Sequence, residues 1–327
     1  MARRSLAGGA TAGAASRVRF APTSNNLLVS SWDSGLRLYD ADANTLRFKA
    51  EPKAELLDCC FQDESAAFAC CSDGSVRRYD FGSSSHDTVG LHEDMVACID
   101  YCHITGQIVT SSLDKKLQLW DTKVRNFSPN GTITFDSDVA SLSICGTYIS
   151  AAIARHVYFY DIRNLTGPVK AKFSPMAYQI RCLQASPEWN GYVAGSVDGV
   201  VTLNYLDGVT NGNMGYAFRC HPNSRNGKSI LVPINCIAIQ PRSKKTFVTG
   251  DDGGYAIAWD AQSKKKLFEL PSYSGSVASM AYNHSGQLLA VATNYCLEAD
   301  KMVEKHEIFI ETVDFKRKTH SVYHTSN

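Results

Sequence analysis

Nowhere in this chain of 327 residues do apolar residues run for the ~18 positions that a helical membrane span requires. The N-terminus also lacks the apolar core of a secretory signal. Charge of one sign is absent too: 33 Lys and Arg stand against 32 Asp and Glu, a net charge of +1. Proteins that grip nucleic acid through its phosphates normally carry a strong basic excess, so direct nucleic-acid binding is set aside together with membrane insertion. The basic runs Lys264-Lys265-Lys266 and Lys316-Arg317-Lys318 are shorter than the roughly five like charges that mark an interaction tail. The eleven cysteines are odd in number and come without a secretory signal, which fits a reducing compartment rather than a disulfide framework. The three Asn-x-Ser/Thr sequons are read as chance matches for the same reason.

Catalytic signatures are missing as well. The chain has no Walker-type Gly-rich loop, no His-Glu-x-x-His and no Gly-x-Ser-x-Gly elbow. Gly195-Ser196-Val197-Asp198-Gly199 approximates the elbow but sits where a hairpin turn belongs. Cys98, Cys102, His103 and His92 are close in sequence, yet Cys98 and Cys102 lie four apart on one strand, too far to share an ion easily at ~3.3 Å per residue. The expectation is no enzyme, no metal and no cofactor.

A repeat is what the chain does have. Segments ending in an aromatic residue followed by Asp close at Asp40, Asp80, Asp121 and Asp161, a spacing of 40, 41 and 40 residues. Ser31-Trp32-Asp33 leads to Leu38-Tyr39-Asp40, Ser72-Asp73-Gly74 to Arg78-Tyr79-Asp80, and Ser112-Leu113-Asp114 to Leu119-Trp120-Asp121. A period of roughly 40–45 residues with this signature is that of WD repeats, each a four-stranded blade. The fold class follows: all-β, a seven-bladed WD40-type β-propeller. Six blades show four β-rich runs each. The seventh shows three: Val277–Tyr282, Leu288–Ala292 and Ile308–Ile310.

Residues 1–16, rich in Gly and Ala, read as a disordered tail. The propeller then spans 17–311 and a C-terminal tail 312–327. The N-terminal segment's Arg-rich, acid-free composition resembles that of a transit peptide, but sixteen residues are short for one. A ring without edges needs a fourth strand in blade 7, and two donors compete for that place, the N-terminal segment and Thr319–His324.

His92, Ser112, Asp114 and Trp120 have the spacing of the buried His–Ser/Thr–Asp–Trp network of WD repeats, so they read as structure and not as a catalytic triad. The functional candidates lie in blade 5. Arg181 opens its innermost strand and Arg219 closes its outermost one, which puts both guanidinium groups on the same, top face. Arg225 and Lys228 in the following insertion extend this basic rim. Arg forks pair bidentately with carboxylate or phosphate, so the rim reads as a site for an acidic or phosphorylated peptide.

Several segments carry a family resemblance. Asn26-Leu27-Leu28-Val29-Ser30-Ser31-Trp32-Asp33, Leu57-Asp58-Cys59-Cys60-Phe61, Ile180-Arg181-Cys182 and Tyr216-Ala217-Phe218-Arg219-Cys220-His221 resemble the Bub-three family of mitotic checkpoint proteins over about residues 17–311, and the insertion after Cys220 looks most like a plant paralogue. The resemblance implies a non-catalytic adaptor of the spindle assembly checkpoint, found in nucleus and cytoplasm and at kinetochores. It implies docking of a short segment of checkpoint kinases of the Bub-one and Mad-three type, with Trp32, Arg181 and Arg219 on the peptide-binding face. It also implies recognition of phosphorylated Met-Glu-Leu-Thr repeats of a kinetochore scaffold. One departure weakens that last expectation: Val200 stands where the family usually has a phosphate-binding Arg after the blade-5 turn. The other readings are a messenger-RNA-export propeller docking a nucleoporin segment and a substrate receptor of a ubiquitin ligase. Both would show in the partners purified from mitotic cells.

Overall fold

The sequence repeat is built on one hairpin turn. In blade 2, Asp73 Oδ1 accepts from the Ser75 N–H at 3.0 Å, and Gly74 follows with φ +82, where a Cβ would stand 2.7 Å from the His92 carbonyl oxygen. In this blade a side chain at position 74 would displace the next connection, so glycine fits best; in blades 1, 3 and 4 Ser34, Lys115 and Ala154 take the same position at positive φ. The flanking runs, such as Ala66–Cys71, are buried along their whole length, as strands sandwiched between neighbouring blades must be.

The computed structural model describes residues 2–7, 13–123, 128–186, 190–206, 215–220, 224–225, 228–229, 231–243, 246–298, 301–303 and 306–313; for 224–225, 228–229, 296–298 and 301–303 this extends to the backbone only. Among these residues there is no helix. They form seven four-stranded antiparallel sheets and two short hairpins, Ser224–Arg225 with Lys228–Ser229 and Cys296–Glu298 with Lys301–Val303. The innermost strands, in order, are Ala15–Phe20, Leu56–Phe61, Val96–Cys102, Ser141–Cys145, Ile180–Ser186, Ile234–Ile239 and Ser276–Tyr282. Each starts on the face that also carries the turns between second and third strands.

These seven strands are stitched to one another in a ring. Ser16 Oγ donates to the Leu56 carbonyl, Asp58 accepts from Ile99 N–H, Asp100 from Ile144 N–H, and the Ser141 and Ser143 hydroxyls from Leu183 and Ala185 N–H. The Cys182 and Cys236 thiols point at the Ile234 and Val277 carbonyls. Ser279 Oγ accepts from Val18 N–H at 3.1 Å, which joins blade 7 to blade 1. Polar residues on the inner strands thus satisfy backbone groups that the sheet ladder leaves unpaired. The ten described cysteines are free, and eight of them are buried, the usual setting of Cys as a small hydrophobe.

The closing strand corrects one expectation. Arg3–Ser5, inside the segment expected to be disordered, pairs antiparallel with Glu307–Thr312: Arg3 opposite Glu311, Arg4 opposite Ile310, Ser5 opposite Phe309. The ring therefore runs from Arg3 to Val313, beyond 17–311 at both ends, and the N-terminus supplies the fourth strand. Tertiary contacts override the weak β propensity here. Arg3 Nε donates to Glu311, which is 1% exposed, its guanidinium lies 4.0 Å from the Tyr273 ring centre, and Leu6 is buried at 3%. The rival donor, Thr319–His324, and the Lys316–Lys318 run lie outside the described residues.

The blade-3 network is present with one change of membership. His92 Nδ1 lies 2.9 Å from Asp114 Oδ2, His92 Nε2 lies 2.8 Å from Thr110 Oγ1, and Trp120 Nε1–H donates to the same Thr110 oxygen at 2.8 Å. Burial pushes the imidazole below its ordinary pKa, with Asp114 opposing, so the neutral ring donates to Asp114 and accepts from Thr110. The linking hydroxyl is Thr110, not Ser112. Ser112 instead donates to the Asp94 carbonyl at 2.9 Å and accepts from Asp114 N–H. Strand alternation explains the exchange: positions 110 and 112 share a face, and only Thr110 is level with the indole of Trp120 across the ladder, where Ile108 is Trp120's direct partner. Blade 6 keeps half of this arrangement. Trp259 donates to Thr249 at 2.9 Å, and Cys220 takes the place of the histidine, 3.7 Å from the Thr249 hydroxyl.

Candidate functional site

The innermost strands open with a recurrent irregularity. In six of the seven blades the ladder between first and second strands slips by one residue, at Ala15/Arg17, Leu56/Asp58, Val96/Cys98, Ile180/Cys182, Ile234/Cys236 and Val277/Ser279. A β-bulge re-aims the residue it leaves unpaired. In blade 5 that residue is Arg181. Its flanking neighbours Ile180 and Cys182 are buried while Arg181 is exposed, and it makes no ion pair or hydrogen bond among the described residues.

Arg219 is differently placed. It ends the outermost strand of blade 5, and its Nη2 donates to Asp198 Oδ2 at 2.9 Å while Nη1 donates to the Asp198 carbonyl. Asp198 is buried in the blade-5 turn, and Ser196 Oγ also donates to it. Arg219 therefore completes a turn as well as facing solvent, with 29% of its side chain exposed. Val200, the position where an arginine was expected, is the direct cross-strand partner of Arg219. Trp32 caps the second-to-third-strand turn of blade 1, half exposed at 50%. Its neighbour Asp33 is tied to Arg37 and Ser31; burial opposes ionisation, but these hydrogen bonds hold its carboxyl down at about 2. The turn beneath Trp32 is thus rigid. Arg225 and Lys228 face each other across the short hairpin that follows blade 5, and their side chains lie outside the described residues.

All three candidates share one face, but not one corner of it. Trp32 belongs to blade 1 and the arginines to blade 5, on opposite sides of the channel mouth. The described exposed large hydrophobic residues divide unevenly between the faces: Trp32, Leu91, Leu113, Phe173, Tyr178, Leu231 and Tyr295 lie on this one, against Leu46, Ile104, Tyr148 and Val169 on the other. Exposed aromatic residues beside arginine are the usual make-up of a protein-binding hot spot.

Sequence reasoning missed a further arginine. Arg155 lies in the blade-4 turn, which lacks the Asp-Gly signature and so drew no attention. Ile180 N–H donates to the Ala154 carbonyl at 2.8 Å, which presses that turn against the start of the blade-5 inner strand. Arg155 and Arg181 each stand one residue from this bond. The Arg155 guanidinium lies over the Phe173 ring, 4.5 Å from its centre, and Tyr178 is half exposed beside Arg181. The corner between blades 4 and 5 thus presents Arg155, Arg181 and Arg219 together with two aromatic rings.

Comparison with known proteins agrees with this architecture. Residues 84–121 match the family model for the WD domain, G-beta repeat. The mitotic checkpoint protein BUB3.3 of Arabidopsis thaliana is 40% identical over 302 residues, covering 91% of this chain and 95% of that protein. Arabidopsis BUB3.1 is 36% identical over 305 residues, covering 91% and 89%, and the Dictyostelium discoideum mitotic checkpoint protein bub3 is 33% identical over 305 residues, covering 91% of each. Each of these matches covers about nine-tenths of this chain. The chain therefore belongs to the Bub3 family of mitotic checkpoint proteins.

Proposed function

We propose that this protein is a non-catalytic adaptor of the spindle assembly checkpoint that docks a short extended segment of checkpoint kinases across its top face and carries them to kinetochores in mitosis. The observation that carries this reading is the concentration on one face of exposed Trp32, exposed Arg181 and most of the exposed aromatic residues. An extended segment suits a site whose anchors stand on opposite sides of the channel mouth: its apolar side chains meet Trp32, and its acidic ones meet the corner of Arg155, Arg181 and Arg219. Relatives named for the mitotic checkpoint support the process; the kinase segment rests on the chemistry of the face. Recognition of phosphorylated scaffold repeats is the weaker part of the activity, because Val200 offers no donor.

Titration of a checkpoint-kinase docking segment against wild type and Arg181→Glu tests this. Loss of Arg181 at a hot spot corresponds to on the order of 2 kcal/mol or more, so affinity falls at least about tenfold while the melting temperature stays put. Equal affinity in a folded variant removes Arg181 from the site. Affinity purification from mitotic cells that yields nucleoporins or ligase subunits in place of checkpoint kinases overturns the function itself.

A further inference from the structure

Arg17 and Arg19 stand two residues apart on the innermost strand of blade 1, and so on one face of it. Their surroundings differ. Arg17 is locked: Nε and Nη2 donate to Asp58 Oδ1 and Oδ2 at 2.7 and 3.0 Å. Arg19 makes no hydrogen bond or ion pair among the described residues, and its Nε is shut off from bulk solvent. Asp100 acts on it through its charge but is not hydrogen-bonded to it; the two Asp100 oxygens accept from the N–H groups of Ile144 and Tyr101 at 2.9 and 3.0 Å. Burial pushes the Asp100 carboxyl upward in pKa, and Arg19 only partly offsets this. Arg17 thus has a hydrogen-bonded counter-ion, whereas Arg19, one step down the strand, feels Asp100 only through its field and has no hydrogen-bonded partner among the described residues.

Arg19 lines a cavity of about 270 Å³ at the lower mouth of the central channel, on the face opposite Trp32. The inner strands of blades 1, 5, 6 and 7 end there, with Gln184, Ala238, Tyr282 and His284 among the walls. Arg19 and His284 are among its lining residues, and no carboxylate is. A liquid water occupies about 30 Å³, so the space takes a phosphate with part of its hydration shell. A guanidinium N–H shut off from water without an acceptor is unfavourable, and a cleft lined by a cation and no carboxylate concentrates anions.

We infer that the lower mouth of the channel is a binding site for a compact phosphoryl group, as free phosphate or as a small phosphate ester, held by the Arg19 guanidinium. The site is separate from the peptide face and stands or falls without it.

The test uses the full chain. Melting temperature is followed as chloride is exchanged for inorganic phosphate, and in a second arm for glycerol phosphate, at constant ionic strength; isothermal titration gives the affinities. Phosphate raises the melting temperature of wild type in a saturable way. Arg19→Gln abolishes the rise and weakens binding at least tenfold, while Lys264→Gln on the surface leaves both unchanged. Should Arg19→Gln not fold, His284→Glu sets a carboxylate on the exposed rim of the cavity and weakens phosphate binding in a folded protein. Binding of both ligands assigns the phosphoryl group, and binding of phosphate alone narrows the site to the free ion. A phosphate effect no larger than that of chloride, or one that persists undiminished in Arg19→Gln and His284→Glu, overturns the inference.

Discussion

Arg219 and Asp198 are joined twice, through the Asp198 side chain and through its backbone carbonyl, so the arginine that faces the peptide side also holds the turn of blade 5 together. Asp198 is buried, and removing its partner leaves a carboxylate with fewer donors, a loss of roughly 1–3 kcal/mol. Arg219→Ala is therefore expected to lower the melting temperature by several degrees and to weaken peptide binding, whereas Arg181→Ala weakens binding alone. Calorimetry and titration on both variants separate the roles; equal melting temperatures would show that the Asp198 contact contributes nothing to folding.

Val200 sits directly across the ladder from Arg219. A charge-assisted contact to phosphate is worth roughly 1.5–3 kcal/mol, so Val200→Arg should tighten binding of a phosphorylated Met-Glu-Leu-Thr peptide about tenfold or more and leave the unphosphorylated peptide nearly unchanged. Arg155→Ala is expected to weaken whatever phosphate preference the wild type has. Strong discrimination by wild type, with no gain from the added arginine, counts against this reading of blade 5.

Ring closure depends on the Arg3 anchor. Deleting residues 1–6 removes the outer strand of blade 7 and leaves Glu311, 1% exposed, without its guanidinium. Breaking a buried pair from one side costs about 3–5 kcal/mol. The truncated protein is expected to unfold at clearly lower temperature, and Arg3→Ala to lose part of that amount. Amide exchange should rise first along Glu307–Thr312; unchanged protection there would mean that the strand is dispensable.

Thr110 and Ser112 make opposite predictions. Thr110→Val leaves His92 Nε2 and the Trp120 indole N–H without a partner, and two unmet buried groups cost about 2–5 kcal/mol together. Ser112→Ala gives up only turn contacts and should cost about 1 kcal/mol. Denaturant midpoints of the two variants decide the order.

Acid sensitivity follows from the same histidine. Unfolded His92 takes up its proton near pH 6.5, and the folded ring does so only at lower pH. The unfolded chain then holds more protons in between, so stability falls as pH drops through 6.5. Asp33 and Glu64, both held at about 2, add a second loss as pH falls from about 4 towards 2. Calorimetry between pH 7.5 and 5 should show the first decline in wild type and a flatter profile in His92→Gln.

The sequence by itself determined the architecture. The forty-residue spacing of Asp40, Asp80, Asp121 and Asp161, the turn residues and the apolar runs are local signals, and a blade is a local structure, so the propeller was legible without coordinates. The face carrying Arg181 and Arg219 was legible too, because strand direction alternates within a blade. Other features were decided by the tertiary structure alone. The N-terminal strand has little β propensity of its own and is held by Glu311 and Tyr273, some 308 and 270 residues away in the chain. Thr110 displaces Ser112 in the network because the indole of Trp120 reaches one level of the ladder and not the next. Arg155 joins the blade-5 corner through the bond between Ile180 and Ala154, and the Arg19 Nε is left without a hydrogen-bond partner while Arg17 pairs with Asp58. In each case the deciding contact runs between strands, and spacing along one strand carries no record of it.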